Sequence, residues 1–122
     1  MSFIHEETFD LKLGRERELR RWLMDNEHRL RSTCPHGVAY LGTYSVVETT
    51  EPSAGDIRVG WGMDDLHAMD SFIAAMREPG AFHRLVSELY QFADERPDRM
   101  STTVLKPVSA AASLGECAGD VP

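Results

Sequence analysis

The hydrophobic period of this chain switches at Gly14, and the order of the switches limits the fold more than any other feature. Residues 2–13 alternate with period two, as a half-buried strand does. From Arg15 the period lengthens. Leu19, Trp22, Leu23, Asn26 and Leu30 fall at i, i+3, i+4, i+7 and i+11, one stripe along a helix with Asn26 its only polar member. That helix ends by about Thr33, because Pro35 disfavours a helical residue before it and Gly37 adds a second break.

HGVAYLGTYSVVETT (36–50) is rich in β-branched and aromatic residues and reads as a strand. EPSAG (51–55) reads as a turn or loop, and DIRVGWGM (56–63) as a strand paired with the one before it. In this strand Ile57, Val59, Trp61 and Met63 share one face, while Gly60 and Gly62 leave the other bare, which would let a helix pack closely there. Asp64 or Asp65 suits an N-cap, and Leu66, Met69, Ile73 and Met76 give the next helical stripe. EPG (78–80) interrupts it. Phe82, Leu85, Val86, Leu89 and Phe92 carry a second stripe until RPD (96–98). MSTTVLKPV (100–108) is a final strand, and the Ala-, Ser- and Gly-rich residues 109–122 are expected to be a disordered tail.

The order is β-α-β-β-α-β with the second helix broken, the α+β, ferredoxin-like arrangement, in one domain over 1–108. A chain of 122 residues suffices for one domain with a modest core. Such a sheet carries helices on one face only. Residues 38–47 are apolar or aromatic on both faces, so the uncovered face needs a partner, and a second copy of the chain is the simplest one. We expect a homodimer whose sheets pack face to face around a cavity.

A formal net charge of −7 argues against nucleic acid or an anionic membrane as the main partner. Arg15, Arg17, Arg20 and Arg21 are interleaved with acids, with Glu16–Arg20 and Glu27–Arg31 at i,i+4 spacing, which reads as a solvated helix face. No apolar run approaches the roughly 20 residues needed to cross a bilayer. No signal peptide is evident, and Cys34 and Cys117 suit a reduced cytoplasm. No His, Cys, Asp or Glu cluster has metal-ligand spacing, and neither a phosphate loop nor a GxSxG motif occurs. Neither metal nor cofactor is expected.

Three pieces, FDLKLGREREL, HGVAYLGTY and VGWGMDDLHAMDSFIAAMREPGAFHRLV, in that order and spacing, resemble the dimeric α/β-barrel superfamily over residues 3–107. Within it the chain resembles NIPSNAP-like proteins and antibiotic-biosynthesis monooxygenases. The resemblance implies an oily, often aromatic small molecule in the cavity. The haem-degrading members carry asparagine where Glu7 falls, and their axial histidine maps onto Val86; His83, beside Phe82, points about 100° away. Haem ligation is not expected. The cofactor-independent oxygenases share Trp61, but their asparagine four residues earlier is Ile57 here. Cyclases and lyases of the superfamily often use histidine and tyrosine, which this chain has in strands.

His5 and Glu7, two apart on the first strand, share a face at roughly 6–7 Å backbone separation. A neighbouring carboxylate favours imidazolium and burial opposes it, so a histidine set between them suits general acid–base work. A solvated sheet edge or an ion pair between subunits is the plainer alternative. The superfamily register puts this odd-numbered face in the cavity. Trp61 would wall a flat ligand. Tyr40 and Tyr44, read as sharing a strand face, would offer hydroxyls. His83 sits at the helix break, near a cavity mouth, although a surface role is the commoner fate for such a residue. His28 and His67 read as solvated.

The resulting expectation is a small cofactor-independent enzyme acting by cyclisation, dehydration or isomerisation on an apolar, polyketide-like molecule. His5 would shuttle the proton, Glu7 would orient it, and Tyr40, Tyr44, Trp61 and His83 would bind substrate. A cofactor-independent monooxygenase is one alternative. A non-catalytic ligand-binding or stress-associated dimer, its cavity filled by side chains, is the other.

Overall fold

The structure, a computed structural model, describes residues 2–50, 56–94 and 100–109. The readings made for 51–55, 96–98 and nearly all of the tail lie outside the described residues. Among the described residues, seven elements follow the expected order: β1 (Phe3–Phe9), α1 (Glu16–Thr33), β2 (Val38–Ser45), β3 (Ile57–Met63), α2 (Leu66–Arg77), α3 (Ala81–Tyr90) and β4 (Met100–Leu105). The four strands form one antiparallel sheet in the order β2-β3-β1-β4. This is an α+β, ferredoxin-like fold.

β1 stops at Phe9, short of the alternation read to residue 13. Beyond it, Leu11 makes only an isolated bridge to Ala93, and Gly14 turns the chain at φ 79°, a region that glycine enters without steric cost. α1 has no side-chain cap, but Glu16 and Glu18 in its first turn complement the helix dipole. The expected Glu16–Arg20 pair forms at 2.8 Å. Glu27 does not pair with Arg31 as expected. It accepts a 2.8 Å hydrogen bond from the Tyr40 hydroxyl, and the Arg31 guanidinium lies over the Tyr40 ring. Of the two cap candidates Asp65 is used, its carboxylate accepting from the Ala68 N–H at 2.9 Å.

The helices cover the odd-numbered face of β1 and β3. Phe9, Val59, Trp61 and Met63 on that face are fully buried with Leu19 and Leu30 of α1, Phe72 of α2 and Leu89 of α3. Cross-strand partners share a face, so Ile4, Glu6 and Thr8 lie with Arg58, Gly60 and Gly62 on the open side. Two expectations are corrected by this phase. The odd face of β1 lies under the helices instead of on the face left open for a second sheet. The bare glycine face of β3 is the open one, not a helix seat. Burial decides the register: the odd face supplies Phe9, Trp61 and Met63, and the even face has nothing comparable.

The stripe read for α2 is also out of phase. Leu66 and Ile73 are exposed, and Ala68 and Phe72 are the buried residues. Phe72 sets the rotation, because its ring packs against His5, Trp61 and Phe82 at 5.1–5.9 Å between centroids.

Candidate active site

The first link is local to β1. His5 and Glu7 project side by side under the helices, each 8% exposed, and His5 Nε2 lies 3.2 Å from Glu7 Oε1. An ionised carboxylate only accepts, so Nε2 carries the hydrogen and donates it. The lone pair of the neutral ring is then on Nδ1. That atom is buried and, among the described residues, has no hydrogen-bond partner. The ring is held from the other side by Phe72, 5.3 Å between centroids.

The second link crosses from the sheet to α3. The Tyr90 hydroxyl lies near enough to Glu7 for the carboxylate charge to act on its phenol. Trp61 Nε1–H, which can only donate, approaches the same hydroxyl oxygen at 3.4 Å. Burial first, then the Glu7 charge, push the Tyr90 phenol well above its ordinary value of 10. Trp61 therefore donates to Tyr90, and His5 donates to Glu7.

A groove lies along one flank of α3. On α3, Glu88 accepts from Trp22 Nε1–H of α1 at 3.0 Å, and by helical period Val86 and Tyr90 lie on the opposite flank. An open groove of about 530 Å³ runs there, lined by Val86, Tyr90, Met76, Ala93 and Lys12 among others. β4 pairs with β1 so that Thr102 stands opposite Glu7 and Val104 opposite His5. Every residue of β4 is exposed, and Val104 is 44% exposed beside a histidine that is nearly buried.

The remaining predicted residues are only partly gathered. Trp61 is fully buried in an aromatic cluster with Tyr40, Phe72 and Phe82. Tyr40 faces the same way, its hydroxyl engaged by Thr43 and Glu27 and its phenol raised by burial above the usual range. Tyr44 does not share that face, contrary to the period-two reading. The register slips between Tyr40 and Gly42, so Leu41 is an extra residue and everything after it changes side. Tyr44 stands opposite Arg58 on the open face, 57% exposed, its hydroxyl donating to the Leu41 carbonyl at 3.2 Å. His83 is taken up by structure: its Nδ1–H donates to the Met76 carbonyl across the helix break.

The architecture has relatives among solved structures. A NIPSNAP-like domain protein from Burkholderia xenovorans superposes at TM-score 0.62 and 18% identity, covering 88% of this chain and 86% of its own. A NIPSNAP family protein from Agrobacterium tumefaciens gives 0.64 at 11%, covering 90% and 96%. A putative antibiotic biosynthesis monooxygenase from Caulobacter crescentus gives 0.54 at 14%, covering 88% and 92%. The fold is of NIPSNAP and antibiotic-biosynthesis-monooxygenase type. No family model matches the sequence, and no curated protein matches it. At these identities the likeness speaks for the NIPSNAP-type fold alone, and the chemistry rests on the residues.

Tyr90 was absent from the sequence-based candidates. It sits one residue past the buried Leu89 on an ordinary amphipathic helix, and no local pattern ties it to Glu7. Among the described residues no group of three His, Cys, Asp or Glu side chains is placed to hold a metal ion, and no helix is long and apolar enough to cross a membrane.

Proposed function

We propose that this protein is a small-molecule enzyme that works by acid–base chemistry, with His5 as the base. One observation carries the reading: a buried imidazole is donated through Nε2 to a carboxylate and keeps an unpartnered Nδ1 lone pair. A buried polar atom without a partner costs about 1–3 kcal/mol, and an arriving substrate proton would relieve it. The same division of labour, carboxylate orienting and imidazole exchanging the proton, recurs in unrelated hydrolases.

Substrate would lie between α3 and the uncovered inner side of β4, its body against Val86, Met76 and Val104 and its acidic C–H or O–H at Nδ1. Those contacts suit an apolar molecule, such as a polyketide-like aromatic ketone. His5 would take the proton, Glu7 would hold the ring as it becomes charged, and the proton would return at another position, giving cyclisation, dehydration or isomerisation. A homodimer is part of this proposal. Tyr44, Leu105 and Ile4 leave apolar surface on the open sheet face, which a second sheet would cover.

A second reading has its own support. Tyr40 and Phe72 each pack against Trp61, so the space beneath the helices is filled by side chains, as in a non-catalytic dimer. The discriminating experiment incubates the protein with anthrones and neutral aromatic β-ketones, with and without oxygen. Product formation that ignores oxygen is expected. Obligatory oxygen uptake would replace this reading with the monooxygenase, and the absence of any conversion across the panel would favour the non-catalytic dimer.

A further inference from the structure

We infer that Glu6 and Arg58 select the partner that covers the open sheet face, a second copy of this chain, through two reciprocal ion pairs. This rests on the homodimer reading above and not on the proposed chemistry. β1 and β3 are the two central strands of the sheet, and both residues lie on their open side. Arg58 stands between Thr8 of β1 and Tyr44 of β2, and Glu6 stands opposite Gly60. The face around them is apolar. Ile4 and Leu105 stand opposite each other, and Leu41 lies against Gly60, where a Cβ would sit 3.5 Å from its own. A cation and an acid therefore occupy the middle of a surface that otherwise suits burial. Among the described residues no ion pair joins them, and the Arg58 Nε–H is buried without an acceptor.

A buried donor without an acceptor is rare and costs stability. Charge decides what satisfies it. A small anion would answer Arg58 and leave Glu6 facing it unmatched, and a cationic partner would do the reverse. A surface that answers both carries an acid and a cation at the same spacing in reversed order. Another copy, turned about a two-fold axis that passes between the two residues, presents that arrangement. Arg58 then meets Glu6 of the partner subunit, and Glu6 meets the partner's Arg58. Two copies with a formal net charge of −7 repel at a distance, so the contact needs charges matched where the faces meet. An ion pair buried at the centre of an interface adds little net affinity, but removing one of its members is costly. The two pairs therefore govern register and choice of partner, while Ile4, Leu41, Tyr44 and Leu105 supply the apolar area.

The test is analytical ultracentrifugation of the full chain, comparing wild type, Glu6→Arg, Arg58→Glu and an equimolar mixture of the two variants, with folding verified by circular dichroism. In Glu6→Arg each copy brings two cations to the contact, and in Arg58→Glu each brings two acids. Either variant alone is expected to dimerise about 100-fold more weakly than wild type, because like charges then face each other. In the mixture the cationic copy meets the acidic one, and a heterodimer is expected with a Kd within about tenfold of the wild-type value. Variants that dimerise as wild type does overturn the pairing and leave the homodimer reading standing. A mixture no tighter than its separate components also overturns it, since charges that met only within one chain would gain nothing from mixing. A wild type that stays monomeric at every concentration overturns the pairing and the homodimer together. If a charge reversal prevents folding, Glu6→Gln, Arg58→Gln and the double variant replace it. A double variant that dimerises about tenfold or more tighter than the two single losses multiply to supports the pairing, and losses that simply multiply overturn it.

Discussion

His5 and Glu7 show how far two residues on one strand can be read without a structure. Their shared face follows from the period of two, and the structure adds the 3.2 Å contact and the bare Nδ1. What the sequence could not supply is the nearby Tyr90, whose hydroxyl accepts from Trp61 Nε1–H at 3.4 Å only because α3 packs on the sheet. Glu7→Gln replaces the carboxylate beside His5 with a neutral amide, whose NH₂ group cannot accept. We expect a fall of about 100-fold or more in any proton-transfer rate, within the usual 10²–10⁴-fold scope of general acid–base catalysis. Steady-state rates of the Gln variant check this, and an unaltered rate would remove Glu7 from the orienting role.

Among the elements, order and type were legible because each period persists over several residues, while phase was not. α2 has apolar residues on more than one side, so counting Leu66, Met69, Ile73 and Met76 picked a plausible stripe. The bulk of Phe72 chose another. Phe72 is fully buried against His5, Trp61 and Phe82, so Phe72→Ala should cost about 3–5 kcal/mol in urea unfolding. β2 hides a different trap, because one extra residue reverses a face and no simple alternation reveals it. Its signature is Gly42, at φ 145°, where a Cβ would stand 2.8 Å from the Tyr44 hydroxyl. Gly42→Ala should therefore destabilise by about 1–3 kcal/mol, the range for a non-glycine residue in a disfavoured backbone region. Equal urea midpoints for Gly42→Ala and wild type would show that the bulge relaxes without strain.

At the scale of the whole molecule, the sheet order and the one-sided helix layer followed from β-α-β-β-α-β alone. Which side of β1 the helices take did not, since both faces of this strand mix apolar and charged residues. Burial of Tyr40 and Tyr90 has a global consequence for stability. Burial is the first cause of both upward shifts, so the folded state keeps these protons longer than the unfolded chain. Their contribution is complete below pH 10 and is lost as the pH climbs from there toward the folded-state values. Cys34, also raised by burial, begins the same loss near its ordinary value of 9. Urea midpoints should be flat from pH 7 to 8.5 and fall steadily above about 9–10, with a shallower fall in Tyr40→Phe. The central claim remains that the buried imidazole exchanges protons with a bound apolar molecule. The direct measurement is deuterium uptake from D₂O into a neutral aromatic ketone with an activated methylene, run side by side with wild type and His5→Ala, folding verified by circular dichroism. The account predicts catalysed uptake by wild type and a loss of about 100-fold or more in His5→Ala; equal rates in the two folded proteins would contradict it.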